Sequence, residues 1–357
     1  MTDLFKNCIA VEIDNGIYYP VRFSPKQFAF YKSYSDFVFI RSLCTADVVM
    51  EFTTPSEVIS FSCATDNFIR KFCAFDIYEN DEFKETFHFK SAPENIDIAY
   101  VKKEKGISKI TICLPYSCRA GICSLNAEIL PSNEPPKKKL KILAYGDSVT
   151  QGMFSDYPSC TYTSLIARYF NADLLNQGVG GMPFHKGLLD PNLNYTPDII
   201  IVAYGTIDIT EIETYDEMIC NAREFIRELK RISGTSKIYI SSTIDSPMLK
   251  IRTAEAPYRL DWYPGLANAV KEMCEALDIN FIDGKYLIPS DPDFYSELIR
   301  NQSNLSRQNH QKTLASRFLT PLCLDRFSLN SLYIKDGHPN TQGFFAYALN
   351  MIRYIEP

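Results

Sequence analysis

Apolar and polar residues alternate with a period of two along much of the chain up to about Ile129. Such runs, rich in β-branched and aromatic residues, predict half-buried β-strands. Turn residues such as Pro55 and the pair Asn80-Asp81 separate them. We therefore expect an all-β sandwich or jelly roll here. The predicted strands lie at 21–23, 37–40, 48–53, 58–62 and 107–112, and one helix is predicted at 25–31.

The pattern of apolar and polar residues changes after a cluster of chain-breaking residues at 131–136, Pro-Ser-Asn-Glu-Pro-Pro. Strand-length apolar runs now alternate with segments of helical periodicity, which predicts a parallel sheet with helices on both faces. We therefore expect a sandwich domain at 1–133, a linker at 134–139 and a flavodoxin-like three-layer α/β domain at 140–357. The stretch 285–331 is irregular and polar. The first predicted strand of this domain begins at Leu140, and the others lie at 173–176, 198–204, 237–241 and 280–282. Predicted helices lie at 163–170, 218–232, 266–277 and 340–355.

Composition and charge limit the class of protein, its partners and its cellular location. With 46% hydrophobic and 22% charged residues, the chain resembles an ordinary globular protein. A net charge of −6 without a basic stripe argues against a nucleic-acid partner, and no apolar run is long enough to span a bilayer. The N-terminus lacks the features of a signal peptide. Eleven cysteines without a Cys-x-x-Cys pair predict free thiols, a cytoplasmic location and no metal site.

The first strand of the second domain ends in Gly-Asp-Ser at 146–148, and a helix-compatible segment follows. Such a turn lifts the hydroxyl of Ser148 clear of the sheet, where a substrate carbonyl can reach it. Far along the chain, Asp-Gly-His-Pro at 336–339 supplies an imidazole, that of His338. Because a serine hydroxyl needs a neighbouring base to become a good nucleophile at neutral pH, the two segments together indicate acyl transfer by serine.

Two further segments follow predicted strands, Asn-Gln-Gly-Val-Gly-Gly at 176–181 and Gly-Thr-Ile-Asp at 205–208. Sites in parallel α/β folds form at the carboxyl ends of the strands. In type and order, the four segments resemble those of the SGNH (GDSL-type) hydrolases from about residue 139 to the C-terminus. The β-rich front half is similar to the sandwich domain that precedes the catalytic domain in some members of that family.

The resemblance implies a role for each matching residue. Ser148 matches the nucleophile, and His338 matches the base that deprotonates it and later protonates the leaving alkoxide. The backbone N–H groups of Ser148 and Gly178 match two donors to the oxyanion. One such donor typically stabilises the transition state by about 2.7–4 kcal/mol. No cofactor is implied.

The sequence departs from the family's pattern at two positions. The asparagine that usually completes the oxyanion hole is replaced by Ile207, which has no side-chain donor. Asp208 beside it would repel an oxyanion, so we expect Asp147, Ile207 and Asp208 only to line the pocket or brace its turns. The family's acid usually lies three residues before the histidine, where Lys335 stands. We assign Asp336, two residues before, as the acid, with a Ser–His dyad as the alternative.

These residues predict a serine esterase that hydrolyses a small acyl ester, for example an acetyl ester of a carbohydrate or metabolite, through an acyl-enzyme on Ser148. Two alternatives stay open. An acyltransferase would pass the same acyl group to an alcohol, and a protein with a decayed catalytic site would only bind carbohydrate. The expected partner is a small-molecule ester, without nucleic acid or membrane, and the sequence does not specify the oligomeric state.

Overall fold

The structure, a computed structural model, describes residues 1–131, 139–288 and 332–356. Its first part contains the strands β1 (Phe5–Lys6), β2 (Ala10–Asp14), β3 (Ile17–Val21), β4 (Val49–Thr54), β5 (Val58–Asp66), β6 (Cys73–Glu79), β7 (Glu82–Phe89), β8 (Asn95–Val101), β9 (Ser108–Cys113) and β10 (Arg119–Asn126). They form two antiparallel five-stranded sheets with the orders β1-β4-β9-β6-β7 and β2-β3-β10-β5-β8. The predicted all-β architecture is confirmed.

One apolar core joins the two sheets. Successive side chains of a strand point to opposite faces, and in β8 the buried positions are Ile96, Ile98 and Tyr100, with exposed residues between them. They pack in one cluster with Phe52 of the other sheet and with Phe61 of their own. The period-two pattern therefore identified the residues that face the sandwich core.

Two helices, α1 (Pro25–Tyr34) and α2 (Asp36–Ser42), interrupt the strands. The helix predicted at 25–31 is confirmed, and Ser24 starts it with a capping box. The strand predicted at 37–40 is wrong because Ser35 caps a second helix, its side chain accepting a hydrogen bond from Phe37 N. Of the predicted strand at 21–23, only Val21 belongs to β3.

The second part contains a five-stranded parallel sheet of order β12-β11-β13-β14-β15, the doubly wound order predicted from the sequence. Its strands are β11 (Lys141–Gly146), β12 (Asp173–Gly178), β13 (Ile199–Ala203), β14 (Lys237–Ser241) and β15 (Asn280–Ile282). The helices are α3 (Ser148–Gln151), α4 (Tyr162–Phe170), α5 (Thr206–Glu211), α6 (Tyr215–Ile232), α7 (Pro247–Arg252), α8 (Trp262–Ala276) and α9 (Thr341–Ile352).

Helices cover both faces of this sheet. Ile142 of β11 joins a core with α4 and α9, whereas its neighbour Leu143 joins a core with α6 and α8. The front part contributes to the second of these cores, because Tyr31 of α1 and Val38 of α2 pack in it. The two helices that interrupt the sandwich therefore pack as part of the core of the second domain.

Parts of the sequence predictions lie outside the described residues. Most of the linker predicted at 134–139 and most of the irregular stretch at 285–331 fall there, and the proposed domain boundaries stay a prediction. Within the described ranges, the cysteines, including Cys118 and Cys123, are not joined in disulfides. None of the described helices combines the length and apolar character that a bilayer span requires.

A buried carboxylate, that of Asp47, joins the two parts of the chain. Asp47 precedes β4 and is 3% exposed, with a left-handed φ of 58° that aspartate tolerates better than most residues. Its oxygens accept hydrogen bonds from the hydroxyls of Thr161 (2.7 Å), Thr163 and Ser164 (2.9 Å) at the start of α4. They also accept one from Asn176 Nδ2 of β12, at 2.7 Å. One front-domain side chain thus binds a helix and a strand of the second domain.

Arg22 adds a second connection. It is 1% exposed, and its guanidinium donates to the carbonyl oxygens of Cys44, Asn176 and Gly178 at 2.8, 2.6 and 3.2 Å. Gln27 of α1 also donates to Gln177 Oε1 at 2.8 Å. Because an unpaired buried polar group is costly, these bonds fix the end of β12 against the front domain.

We expect Asp47→Ala to lower the free energy of unfolding by about 3 kcal/mol or more, since each buried donor that loses its acceptor costs about 1–3 kcal/mol. Urea denaturation followed by the fluorescence of the single tryptophan, Trp262, measures this change. Glu12→Ala, a change at an exposed acid of β2, is the control. Equal stabilities of the two variants would contradict a structural role for the buried carboxylate.

Candidate active site

The turn that carries Ser148 joins the end of β11 to α3. Asp147 caps the helix, its Oδ1 accepting from Val149 N at 2.9 Å. A Cβ at position 146 would overlap the side chain of Thr150 and lie 2.6 Å from the carbonyl oxygen of Ala203, so only glycine fits. Ser148 is the first residue of α3, and its N–H therefore has no acceptor within the helix.

The structure brings Ser148, His338 and Asp336 together. Ser148 Oγ lies 2.9 Å from His338 Nε2, although the two residues are 190 positions apart in sequence. His338 Nδ1 lies 3.0 Å from Asp336 Oδ1, which also accepts from His338 N at 3.1 Å. The acid predicted two residues before the histidine therefore reaches the imidazole, through a tight turn at Gly337 with φ of 85°.

Aromatic residues shape the surroundings of the histidine. The ring of Phe154 packs 4.7 Å from the imidazole of His338. Phe154 has a φ of 76°, unusual for a bulky residue, and its N–H donates to Tyr116 Oη of the front domain at 3.1 Å. His338 is 5% exposed, and this burial lowers the pKa of His338 below its ordinary value of 6.5. The imidazole is therefore unprotonated, and able to act as a base, at neutral pH.

Gly178, expected to supply the second oxyanion donor, has its N–H engaged in a hydrogen bond within the protein. Its N–H already donates to Asn176 Oδ1 at 2.7 Å. A Cβ at position 178 would lie 2.6 Å from Gln151 N and 2.7 Å from the carbonyl carbon of Thr150. The glycine is required because β12 packs directly against α3, which carries the nucleophile.

Similarity to a known family agrees with this geometry. The model of the GDSL-like lipase/acylhydrolase family matches residues 144–344, more than half of the chain. The chain belongs to this family. A search of curated proteins gave no match.

Solved structures share the fold of this GDSL-like protein over almost its whole length. The salicylyl-acyltransferase SsfX3 from a tetracycline biosynthetic pathway has a TM-score of 0.72 and 15% identity, covering 98% of this chain and 93% of that one. A protein from Bacteroides ovatus described as a GDSL-like lipase has a TM-score of 0.64 and 16% identity, with 99% and 96% covered. A family two carbohydrate esterase from Clostridium thermocellum, in complex with cellohexaose, has a TM-score of 0.57 and 15% identity, with 95% and 97% covered. At these identities the likeness concerns the fold.

In this GDSL-like protein, Ile207 and Asp208 lie in the first turn of α5, and both are buried. Asp208 Oδ1 accepts from Phe184 N at 2.9 Å, whereas Oδ2 has no hydrogen-bond partner among the described residues. Burial raises the pKa of Asp208 to about 7 and that of Asp147 to about 6. Asp208 thus braces the loop that contains Phe184, and near neutral pH a large fraction of its carboxyl is protonated.

Sequence reasoning missed the residues that the front domain supplies around the site. Tyr116 and Arg70 reach Phe154 from two loops of the sandwich, and Gln151 Nε2 donates to the carbonyl oxygens of Arg41 and Tyr116 at 3.3 and 3.4 Å. No motif marks these residues, because their position depends on how the two domains pack. His185, which follows the glycine-rich segment at 176–181, stacks on Phe30 of α1 at 4.8 Å.

We expect the Asp208→Asn variant to gain stability relative to the wild type as pH rises. A buried carboxyl with a raised pKa binds its proton more tightly in the folded state, so wild-type stability falls between the unfolded pKa of about 4 and the folded pKa of about 7. Urea denaturation at intervals between about pH 4 and pH 8 measures the difference. For Asp147→Asn the corresponding change should end near pH 6, since the pKa of Asp147 is raised to about 6. A pH-independent difference for Asp208→Asn would contradict the raised pKa.

Proposed function

We propose that the protein is a serine esterase that hydrolyses a small acyl ester, such as an acetyl ester of a carbohydrate or metabolite. The observation that carries this proposal is the pair of contacts Ser148 Oγ to His338 Nε2 and His338 Nδ1 to Asp336 Oδ1, at 2.9 and 3.0 Å. Side chains within this range can pass a proton directly from the nucleophile to the base. Membership of the GDSL-like lipase/acylhydrolase family agrees with this chemistry.

The reaction then proceeds in two halves. Ser148 Oγ attacks the ester carbonyl while its proton moves to His338 Nε2, and the imidazolium returns the proton to the leaving alkoxide. Water, deprotonated by the same nitrogen, then attacks the acyl carbon. The bond from this carbon to Ser148 Oγ breaks, the imidazolium returns the proton to Oγ, and the acid is released. Asp336 accepts the Nδ1 proton in a hydrogen bond, which leaves Nε2 as the basic nitrogen and stabilises the imidazolium.

In this proposal the oxyanion is stabilised by the N–H of Ser148, which has no acceptor within α3. This N–H belongs to the same residue as the attacking Oγ, at the start of α3. The Gly178 N–H does not contribute, because Asn176 accepts it. Because Ile207 offers no side-chain donor, stabilisation of the oxyanion depends more on the backbone N–H of Ser148 in α3.

Acyl transfer to an alcohol is the second candidate, since it requires the same acyl-enzyme. SsfX3, named as a salicylyl-acyltransferase, shares the fold over 98% of this chain, as does a carbohydrate esterase over 95%. The two reactions differ in which nucleophile reaches the acyl-enzyme. Product analysis with and without candidate acceptor alcohols separates them. The aligned Ser148–His338 pair argues against the third possibility, a decayed site that only binds carbohydrate.

We expect Ser148→Ala to lower the turnover of 4-nitrophenyl acetate by about 10⁴-fold or more. The same change should abolish covalent labelling by a fluorophosphonate probe, because the probe reacts with an activated serine. Ser233→Ala, at the end of α6, is the control and should keep both properties. Labelling that persists in Ser148→Ala would refute the assignment of the nucleophile.

We expect Asp336→Ala to lower kcat/KM for the same ester by at least about tenfold, because the Nδ1 hydrogen bond orients the imidazole. Lys335→Ala is the matched control, since Lys335 is exposed and stands where the family's acid usually lies. A loss well below about tenfold in Asp336→Ala would instead indicate a Ser–His dyad.

A further inference from the structure

Three arginines from three separate elements lie near residues that surround Ser148 and His338. Arg41 lies on α2, Arg70 lies on the loop between β5 and β6, and Arg252 is the last residue of α7. The first two belong to the front domain and the third to the GDSL-like domain. None of them is explained by the reaction steps proposed above.

Arg70 reaches the site through two contacts. Its guanidinium lies 2.9 Å from the ring centroid of Phe154, whose other neighbour is the imidazole of His338 at 4.7 Å. Its Nε donates to Met153 Sδ at 3.3 Å. Guanidinium, aromatic ring and imidazole therefore form a continuous packed group that includes the catalytic histidine.

Arg41 lies next to Arg70 on the side of the glycine-rich segment at 176–181. A Cβ at Gly180 would lie 3.2 Å from both Arg41 Cδ and Met153 Cε, so the stem of Arg41 and the methionine that binds Arg70 meet over the same glycine. The guanidinium packs over the ring of Phe37 at 3.3 Å and donates to Phe37 O at 3.0 Å. The positive charges of Arg70 and Arg252 lower the pKa of Arg41, although burial is the larger cause.

Arg252 approaches from the opposite domain. The backbone of α7 packs directly on Gly337, because a Cβ there would overlap Met248 N. Residues four apart share one face of a helix, so Arg252 lies one turn beyond Met248, and its guanidinium lies 3.4 Å from Glu211 Oε1 of α5. After burial, which lowers the pKa of His338 most, the charges of Arg252 and Arg70 lower it further, against the opposite effect of Asp336.

Few of the described carboxylates pair directly with this group, although Asp336 and Asp147 lie near enough for their charges to interact with Arg70 and Arg252. No carboxylate among them lies within 4.0 Å of the guanidinium of Arg41 or Arg70, and Arg252 contacts only the well-exposed Glu211, at 3.4 Å. Asp336 is engaged with the imidazole. Like charges that are held close together destabilise one another unless an opposite charge joins them.

We propose that the natural substrate carries an anionic group, a carboxylate or a phosphate, close to its ester bond, and that Arg41, Arg70 and Arg252 bind it. This inference rests on the esterase function proposed above. Guanidinium groups present planar pairs of N–H donors that match carboxylate and phosphate oxygens. The front domain then contributes directly to substrate selection, through two of the three arginines.

Matched ester pairs test the proposal. The first pair tests an anion on the acyl side: anionic 4-nitrophenyl hydrogen succinate is compared with its neutral methyl ester. The second pair tests an anion on the alcohol side: anionic 4-acetoxybenzoate is compared with neutral methyl 4-acetoxybenzoate. The same acetate placed on a hydroxyl of a sugar phosphate and of the free sugar tests phosphate. The wild type should favour the anionic member of at least one pair, by about tenfold or more in kcat/KM, and rising ionic strength should reduce that ratio.

Arg70→Gln and Arg41→Gln should each lower the ratio of anionic to neutral kcat/KM by about tenfold, and Arg70→Lys should restore part of it because the charge remains. Arg223→Gln, on the distant helix α6, should leave the ratio unchanged. Thermal denaturation of each variant confirms that it is folded.

Two results would overturn the proposal. If the wild type hydrolyses the neutral esters and shows no preference for an anionic partner in any pair, the inference fails while the esterase function stands. If it hydrolyses none of the esters and Ser148 is not labelled by the fluorophosphonate probe, both fail together.

Discussion

The hydrogen bonds between the Asp47 carboxylate and Asn176 hold the active site in place. The Asn176 amide donates both to Asp47 Oδ2 and to the carbonyl oxygen of Thr150 in α3, each at 2.7 Å, while its own oxygen accepts the N–H of Gly178. One side chain therefore connects the front domain, the helix of the nucleophile and the glycine-rich segment. A buried carboxylate is stable only when its oxygens accept hydrogen bonds. The two domains must therefore pack in one fixed relative position.

This constraint explains why a sandwich domain accompanies the hydrolase-like sheet. Ser148 and His338 belong to the second domain alone, and the sheet and α9 bring them together. The rest of the pocket requires both domains, because Tyr116 fixes the backbone of Phe154 and Arg22 fixes the end of β12. Separating the domains would expose Asp47 and Arg22 to water and remove the surface on which Phe154 packs. The front domain is thus part of the site.

Local signals predicted much of this from the sequence. The parallel sheet followed from apolar runs that alternate with helical segments, and the pairing of Ser148 with His338 followed from short polar motifs, since side chains at the carboxyl ends of parallel strands converge. Asp336 was assigned with a Ser–His dyad as the alternative. The strand predicted at 37–40 was wrong because its apolar run also fits a helix, and the cap at Ser35 decides between them. Gly178 was assigned to the oxyanion from its place in a motif, whereas its backbone contact with α3 depends on packing that no local pattern contains.

The raised pKa values and the arginines around the site could not be predicted from the sequence. Asp147 and Asp208 are acids whose pKa values burial raises to about 6 and about 7, and burial is a property of the folded chain. Arg41, Arg70 and Arg252 are separated by many residues and carry no motif. Their proximity arises only when α2, the loop after β5 and α7 meet at His338. If the three guanidinium groups bind the substrate as proposed, their charges favour an anionic ligand over a neutral one before any specific contact is made.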